Sequence, residues 1–343
     1  MKKIPILLLI STAFVACKKE TATVTKIDPE TGKITTVEVP KDSVKEIAEI
    51  PAIKDSAGVF KQIFKLEKGK TYPLVTLQKD SRTITLPDGT SQSGTNESTD
   101  DMSFTINEFK NGVYDISINI IGKKISQSAD GKTIVVDTKT AAPQEEDLKM
   151  IWNVNKSLVG NKLQMKMKEN GEVLSITGFE PIYKKVLAAV ESTLTAEQKA
   201  TFPEYFKSSF NQEIIKDQFM KNLKLIPEKG VKIGEKWTQS ENASADGSVK
   251  ITTTYVLKSV GNGSVEIEIS GGIPKKSDKQ TQQGVTRTVS SELSQNGTII
   301  LDQNTGWVKK QNISVKTAQT ETYSDGTQFQ TMKSVSNSSV IIN

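Results

Sequence analysis

The side chains that most often carry enzyme chemistry are nearly absent from this chain. It has no histidine in 343 residues and a single cysteine, Cys17. Without histidine, the chain lacks the usual general base near neutral pH and the most common ligand of transition metals. Ser–His–Asp and Cys–His catalysis are impossible for the same reason. We therefore expect a protein that is not an enzyme and that holds no cofactor and no metal.

Motifs for phosphate or calcium fail on their spacing. Three short stretches with a Gly-Lys pair are candidates for phosphate binding, at residues 31–33, 68–71 and 130–133. A phosphate-binding P-loop needs another glycine five positions before that pair, where this chain has Ile27, Phe64 and Ser126. The oxygen-rich stretches at 244–248 and 302–306 lack the ligand spacing of an EF-hand. We predict ordinary turns at all of these motifs.

The N-terminal segment has the pattern of an export signal. Lys2 and Lys3 precede an apolar run at residues 4–16. At about 13 residues, this run is shorter than the roughly 20 that a helix needs to span a bilayer. A charged start and a short apolar run that ends in small residues are typical of a secretory signal peptide.

The end of that segment, FVAC at residues 14–17, resembles the lipobox of bacterial lipoproteins, although Phe14 stands where leucine is usual. The resemblance implies that residues 1–16 form a lipoprotein signal peptide, cleaved between Ala16 and Cys17. It also implies that the Cys17 thiol carries a diacylglyceryl group. Two or three acyl chains, each adding about 0.8 kcal/mol per buried CH₂, anchor a protein stably to a membrane. The alternative for Cys17 is an ordinary buried thiol.

The residues after Cys17 bear on location. Lys18 and Lys19 stand where an aspartate usually retains a lipoprotein at the inner membrane. The resemblance therefore implies an outer membrane location, with the membrane contacted through the lipid on Cys17. Whether the protein faces the periplasm or the cell surface stays open.

Composition argues against nucleic-acid binding and against a membrane-spanning helix after the N-terminal segment. The formal net charge is +5, and we find no basic block interleaved with aromatic residues, so we expect no nucleic-acid binding. After the N-terminal segment, no apolar run approaches the 18 residues of a membrane-spanning helix.

Alternation of apolar and polar residues dominates the chain after Phe60. The clearest cases are YDISINI at 114–120, KLQMKMK at 162–168 and VEIEIS at 265–270. A period of two predicts half-buried antiparallel strands. Turn pairs join such segments, and the predicted turns lie at residues 110–112, 129–131, 169–171, 261–263 and 295–297.

The middle of the chain has helical periodicity instead. After Pro181 an apolar stripe recurs at helical spacing, and TAEQ at 195–198 predicts a capping box. We expect Pro203 to interrupt this region and a further helix to end before Pro227. A shorter helix is expected at residues 145–155. These patterns define a signal peptide at 1–16, a flexible tether at 17–58 and a β-rich domain at 59–343, with a helical insert at about 181–226.

The two flanks of the insert resemble each other in order. Residues 67–72 match 232–237, residues 104–120 match 254–270, and residues 168–178 are similar to 303–312. The domain therefore consists either of two pseudo-repeated halves or of unrelated segments with similar turns.

Taken together, LEKGKTY, LQMKMKENGEVLSITGF, LTAEQK, IPEKGVKIGEKW and DQNTGWVKKQNISV resemble a family of secreted bacterial lipoproteins of unknown function. The resemblance extends over roughly residues 60–342. Its motifs are turn and packing positions, so it implies a fold and no catalytic residues.

These observations predict a mainly β (α+β) protein. We expect a large curved antiparallel sheet of half-barrel shape, with the central helical insert packed on its concave face. The function we expect is non-enzymatic binding of an apolar or amphipathic ligand between sheet and helices. The residues expected to line that site are Ile116, Ile118, Met165, Met167, Val186 and Val190. The alternative is a structural or interaction lipoprotein that binds a protein or glycan through a sheet face.

Overall fold

In the computed structural model, residues 21–27, 34–40, 51–243 and 249–343 are described. The chain divides into two units, residues 1–50 and 51–343. In the first unit, strand β1 (Thr21–Ile27) pairs antiparallel with β2 (Ile34–Pro40). The turn expected between them lies outside the described residues.

The second unit is built on one antiparallel sheet of twelve described strands, beside a short hairpin of β3 (Ile53–Ser56) and β4 (Val59–Gln62). The strands of the first half of the sheet are β5 (Thr71–Thr85), β6 (Ser91–Lys110), β7 (Val113–Ala129), β8 (Lys132–Asp137), β9 (Lys162–Lys168) and β10 (Val173–Thr177). Those of the second half are β11 (Lys236–Asn242), β12 (Lys250–Gly261), β13 (Ser264–Gln282), β14 (Val285–Asp302), β15 (Val308–Ser324) and β16 (Phe329–Ile342).

The sheet is open, and its order is β10-β9-β7-β6-β5-β16-β15-β14-β13-β12-β11, with β8 paired to the outer part of β7. It curls strongly, because the rings of Phe104 in β6 and Trp307 just before β15 lie 5.2 Å apart. The strands β5 and β16 separate these two positions in the sheet, and neighbouring strands are about 4.8 Å apart. The expected large curved antiparallel sheet is confirmed.

In the described part of the chain, four helices accompany the sheet: α1 (Glu146–Leu158), α2 (Phe179–Val190), α3 (Ala196–Ser209) and α4 (Gln212–Leu223). The predicted capping box at Thr195 and Gln198 starts α3. Pro203 lies inside α3 and does not interrupt it, so that expectation was wrong.

Helix α4 contacts both edge strands of the sheet. The side-chain oxygen of Gln212 accepts a hydrogen bond from the Ile176 N–H of β10 at 3.2 Å, and Lys221 forms an ion pair with Glu241 of β11 at 2.8 Å. Its buried residue Phe219 packs on Phe104 of the sheet, with 5.0 Å between the ring centroids. Helix α4 therefore lies within the curl.

The two flanks of the helices repeat one hydrogen-bonding scheme. The N–H of Gly69 donates to Ile106 and that of Gly234 donates to Leu257, both at 2.7 Å. Equivalent bonds join Glu169 to Gly112 at 3.0 Å and Gln303 to Gly263 at 3.1 Å. Strands β5, β6, β7, β9 and β10 thus correspond to β11, β12, β13, β14 and β15. The two flanks thus share one strand order and one hydrogen-bonding scheme, and the two pseudo-repeated halves stay a prediction.

The start of the β-rich unit and one predicted turn differ from the expectation. Ile53 is buried, and its N–H donates to the Gln303 carbonyl at 2.9 Å, so the β-rich unit begins at Pro51 rather than at residue 59. Residues 295–297 lie inside β14 and form no turn. Gly297 stands there because the Cβ of any other residue would overlap the carbonyl oxygen of Asn312.

The apolar core fills only one end of the sheet. In the remainder, which we call the distal part (residues 76–101, 123–135, 270–298 and 312–341), the one buried residue is Glu321. Both faces of the distal part are therefore open to solvent. We call the face that continues from the core the inner face and the opposite one the outer face.

Candidate functional site

The six residues expected to line a ligand site are packed into the core. They are Ile116, Ile118, Met165, Met167, Val186 and Val190, and none is more than 2% exposed. Within the sheet, Ile116 lies opposite Met165, and Ile118 lies opposite Leu163. These residues line none of the grooves described below, so the core position offers a packed interior rather than an opening.

An open groove lies farther out on the inner face. Arg82 of β5 has the same side-chain direction as the buried Tyr72, because the two positions differ by an even number along an unbulged strand. Register then places the partners of Arg82 on the same face: Gly94 of β6, Ser336 of β16 and, beyond Gly94, Ala129 of β7. The groove formed here has a volume of about 770 Å³. We call it the inner-face groove.

The floor of the inner-face groove is made by the two smallest residues of this region. Gly94 has no side chain, and its neighbour in register, Ala129, has only a methyl group. Ile84 stands on one side of the floor and Ile134 on the other. Ile134 is 41% exposed. The groove therefore has an apolar surface that is accessible to a ligand.

Polar groups surround this apolar surface. The Nε of Arg82 donates to the hydroxyl of Ser334 at 3.1 Å, and Gln78 donates to the carboxylate of Asp80 at 3.0 Å. The remaining polar side chains of the lining include Asn96, Gln127, Asp130 and Lys132. Arg82 and Lys132 form no ion pair with another described residue, and neither do Asp80 and Asp130. An apolar strip bordered by balanced charges and amides is amphipathic.

Sequence reasoning missed the inner-face groove. Its residues come from strands that are polar on both faces, and the sequences of such strands show no clear alternation of apolar and polar residues. A usable local signal was Gly94 in SQSGTNES, since a glycine inside a strand often marks a close approach of a ligand or another backbone. The pairing that completes the groove joins positions far apart in sequence, such as Arg82 and Ser336.

The other predicted features lie as follows. The glycine motifs at 68–71 and 130–133 are turns, with Gly69 and Gly131 at positive φ. In the stretch 302–306, the Asp302 carboxylate accepts hydrogen bonds from the backbone N–H groups of Asn304 and Thr305, at 3.0 and 2.8 Å. It therefore closes a turn. The motifs at 31–33 and 244–248, together with Ala16 and Cys17, lie outside the described residues.

Two further findings concern the described part of the chain alone. No group of three or more acidic, histidine or cysteine residues is arranged there to hold a metal ion. No helix in the same residues is long and apolar enough to cross a membrane.

The fold is thus that of a mainly β protein with one large open antiparallel sheet and a few helices packed nearby. Residues 111–308 match the model of a family of unknown function, DUF6263. Because the match covers more than half of the chain, the chain belongs to this family. No curated protein sequence matches it.

Similarities to solved structures are low. A lipovitellin structure, described by its lipid–protein interactions, is 12% identical with a TM-score of 0.33; the match covers 81% of this chain and 25% of that chain. This chain thus spans a quarter of the lipovitellin chain. An outer membrane channel from Pseudomonas putida F1 is 7% identical, with a TM-score of 0.16 and coverages of 81% and 97%. Pseudomonas aeruginosa OpdQ is 6% identical, with a TM-score of 0.13 and coverages of 76% and 69%. These values carry no functional information.

Proposed function

We propose that this protein is a lipid-anchored lipoprotein of the outer membrane that binds an amphipathic ligand, without catalysis, in the inner-face groove. The observation that carries the ligand proposal is an accessible groove with an isoleucine on each side of a small-residue floor. Its volume of about 770 Å³ falls within the range of roughly 300–1,000 Å³ that is usual for small-molecule sites.

The ligand class follows from the lining. An apolar chain lying over Gly94 and Ala129 would contact Ile84, which is half-buried, and Ile134, which is exposed. Removing that apolar surface from water favours binding by about 25 cal/mol per Å². The polar head of the ligand would then meet Arg82 and the neighbouring amides and carboxylates. Because positive and negative side chains are balanced around the groove, a zwitterionic or uncharged polar head suits it best.

A groove-filling substitution tests the ligand proposal. Gly94 has backbone angles that any residue can adopt, and the nearest atom to an added Cβ would be the Ser128 carbonyl oxygen at 3.4 Å. Gly94→Leu is therefore expected to fold normally while its side chain occupies the floor. A fluorescent acyl-chain probe should bind wild-type Lys18–Asn343, and its Kd should rise at least tenfold in Gly94→Leu.

The matched control is Ser291→Leu, which adds the same side chain to an exposed inner-face position of β14 outside the groove. It should leave the Kd unchanged. If the probe does not bind the wild type, or if it binds Gly94→Leu as tightly, the groove is not a site for amphiphiles.

The anchoring part of the proposal rests on the lipobox resemblance of residues 14–17 and is tested separately. Cys17→Ser should leave a soluble or uncleaved product, measured by the partition of the protein between membrane and soluble fractions. A variant that partitions with outer membrane vesicles as the wild type does would exclude Cys17 as the anchor. This result would leave the ligand proposal untouched, because binding is measured on protein without the anchor.

A further inference from the structure

A second depression lies on the outer face, where the side chains point away from the core. Two neighbouring rows of side chains cross the strands β6, β5, β16, β15 and β14 in register. One row runs through Lys79 and Ser339, and the next runs through Ser81 and Asn337. Short serines make the floor of an opening of about 470 Å³, which we call the outer-face cleft.

Most polar side chains of the outer-face cleft make no hydrogen bond to another described residue, so they are available to a ligand. Elsewhere on this sheet, facing hydroxyls bond across strands, as Thr83 does with Ser93 at 2.9 Å and Thr322 with Thr331 at 3.1 Å. In the cleft, Ser314 faces Ser339 in the same way and forms no such bond. The cleft side chains that make no hydrogen bond or ion pair with another described residue include Ser294, Asn296, Ser314, Lys316, Asn337 and Ser339.

The charge of the cleft is also uneven. At the β5–β6 end, the Nζ of Lys79 is paired with the carboxylate of Glu97 at 2.8 Å. At the β15 end, the ammonium of Lys316 has no ion-pair partner among the described residues. The lining also includes Asp80, but its position in β5 directs its side chain to the inner face, like that of Arg82. A ligand that lies across the strands on the outer face therefore meets hydroxyl and amide groups along its length and the unpaired ammonium of Lys316.

We infer that the outer-face cleft binds an acidic saccharide. Hydroxyls and amides can both donate and accept hydrogen bonds, and a saccharide presents hydroxyls at a density that matches such a surface. The carboxylate of an acidic saccharide supplies the negative charge that can pair with the Lys316 ammonium. Val315 is the one apolar residue of the lining, so the cleft offers no apolar or aromatic pocket of the kind that anchors peptides. The linings of the two sites share Asp80, Ser81, Thr95 and Ser338, but the sites open on opposite faces of the sheet. The inference does not depend on the proposed function.

Oligosaccharides of equal length test the inference. Isothermal titration calorimetry of Lys18–Asn343 at low salt would compare trigalacturonic acid with maltotriose. The acidic sugar should bind at least tenfold more tightly, because only it carries carboxylates. Lys316→Met should weaken its binding at least fivefold and remove most of the salt dependence, because the screened charge pair is gone. Lys333→Met is the matched control, since Lys333 is an exposed lysine farther along the outer face of β16, and this variant should bind as the wild type does.

Three results would overturn the inference. The first is no binding of trigalacturonic acid to wild-type protein. The second is binding that Lys316→Met and Lys333→Met weaken equally, which would indicate attraction to the whole surface. The third is tighter binding of triglutamate than of the acidic sugar, which would assign the cleft to an acidic peptide. Since Lys316 is exposed, the variants should melt with the wild type, and melting curves would verify that they are folded.

Discussion

Trp307 gives a sharp test of how the core end of the molecule is held together. It is 4% exposed, and its ring contacts Phe64, Tyr72, Phe104 and Phe219, with centroid distances of 6.3, 5.4, 5.2 and 6.1 Å. These neighbours come from the segment before β5, from two strands and from α4, so one side chain joins three parts of the fold. Trp307→Ala should lower the free energy of unfolding by about 3–5 kcal/mol through lost burial and the cavity left behind.

Trp307→Phe should behave differently, because the indole N–H of Trp307 is buried without a hydrogen-bond partner among the described residues. An unpaired buried donor costs about 1–3 kcal/mol. Removing it offsets the smaller loss of apolar area, about 1–2 kcal/mol for part of a ring. The two effects nearly cancel, so we expect the free energy of unfolding of Trp307→Phe to stay within about 1 kcal/mol of the wild-type value.

Urea unfolding followed by far-ultraviolet circular dichroism measures both variants, and the exposed Tyr205 supplies a control. Tyr205→Ala should change the free energy of unfolding by less than about 0.5 kcal/mol. If Trp307→Phe is as destabilising as Trp307→Ala, the indole N–H makes a stabilising bond and the reasoning is wrong. If Trp307→Ala costs less than about 1 kcal/mol, the ring does not join these elements.

Two further predictions concern the sheet. Gly297→Ala should lower the free energy of unfolding by about 1–3 kcal/mol, because its Cβ would overlap the Asn312 carbonyl oxygen. Gly94→Ala is the control and should leave the free energy of unfolding unchanged, because its Cβ would lie at an ordinary contact distance of 3.4 Å from the Ser128 carbonyl oxygen. Equal urea midpoints for the two variants would contradict this prediction. The second prediction concerns Asp325, whose carboxylate accepts hydrogen bonds from the backbone N–H groups of Gln328 and Thr327 and from the Thr327 hydroxyl. These bonds lower the pKa of Asp325 from 3.8 to about 2. Its stabilising contribution is therefore complete above pH 3.8 and is lost as pH falls through 2. The difference in Tm between wild type and Asp325→Asn should shrink over that interval, and a constant difference would show that the carboxylate is not held this way.

The core end of the fold could be predicted because its strands alternate between a buried and a wet face. Ile116 and Ile118, like Ile267 and Ile269, are buried at every second position, and this period is visible in the sequence. The capping box at Thr195 was equally legible, because its two hydrogen bonds connect residues three apart. Local chemistry of this kind needs no knowledge of the remaining chain.

The distal part could not be predicted in this way. Its strands have no buried face, so hydrophobic periodicity is lost, and the cross-strand partners that stabilise them are fixed by register alone. Gly297 shows the consequence: a glycine after asparagine is typical of a turn, but here it makes room for the neighbouring strand at Asn312. Likewise, Ile84 and Ile134 border the same groove only because β8, β7, β6 and β5 are neighbours in this order in the sheet.

A sheet with two open faces separates the two proposed sites physically. Successive residues of a strand point to opposite faces, so Arg82 borders the inner-face groove while its neighbour Ser81 lines the outer-face cleft. Gly94→Leu fills the first site without reaching the second, and Lys316→Met changes the charge of the second without reaching the first. An effect of Gly94→Leu on trigalacturonic acid would therefore have to pass through the backbone of β5 and β6. Equal Kd values for the sugar in wild type and Gly94→Leu are expected, because this single layer has no packed second sheet to transmit a displacement.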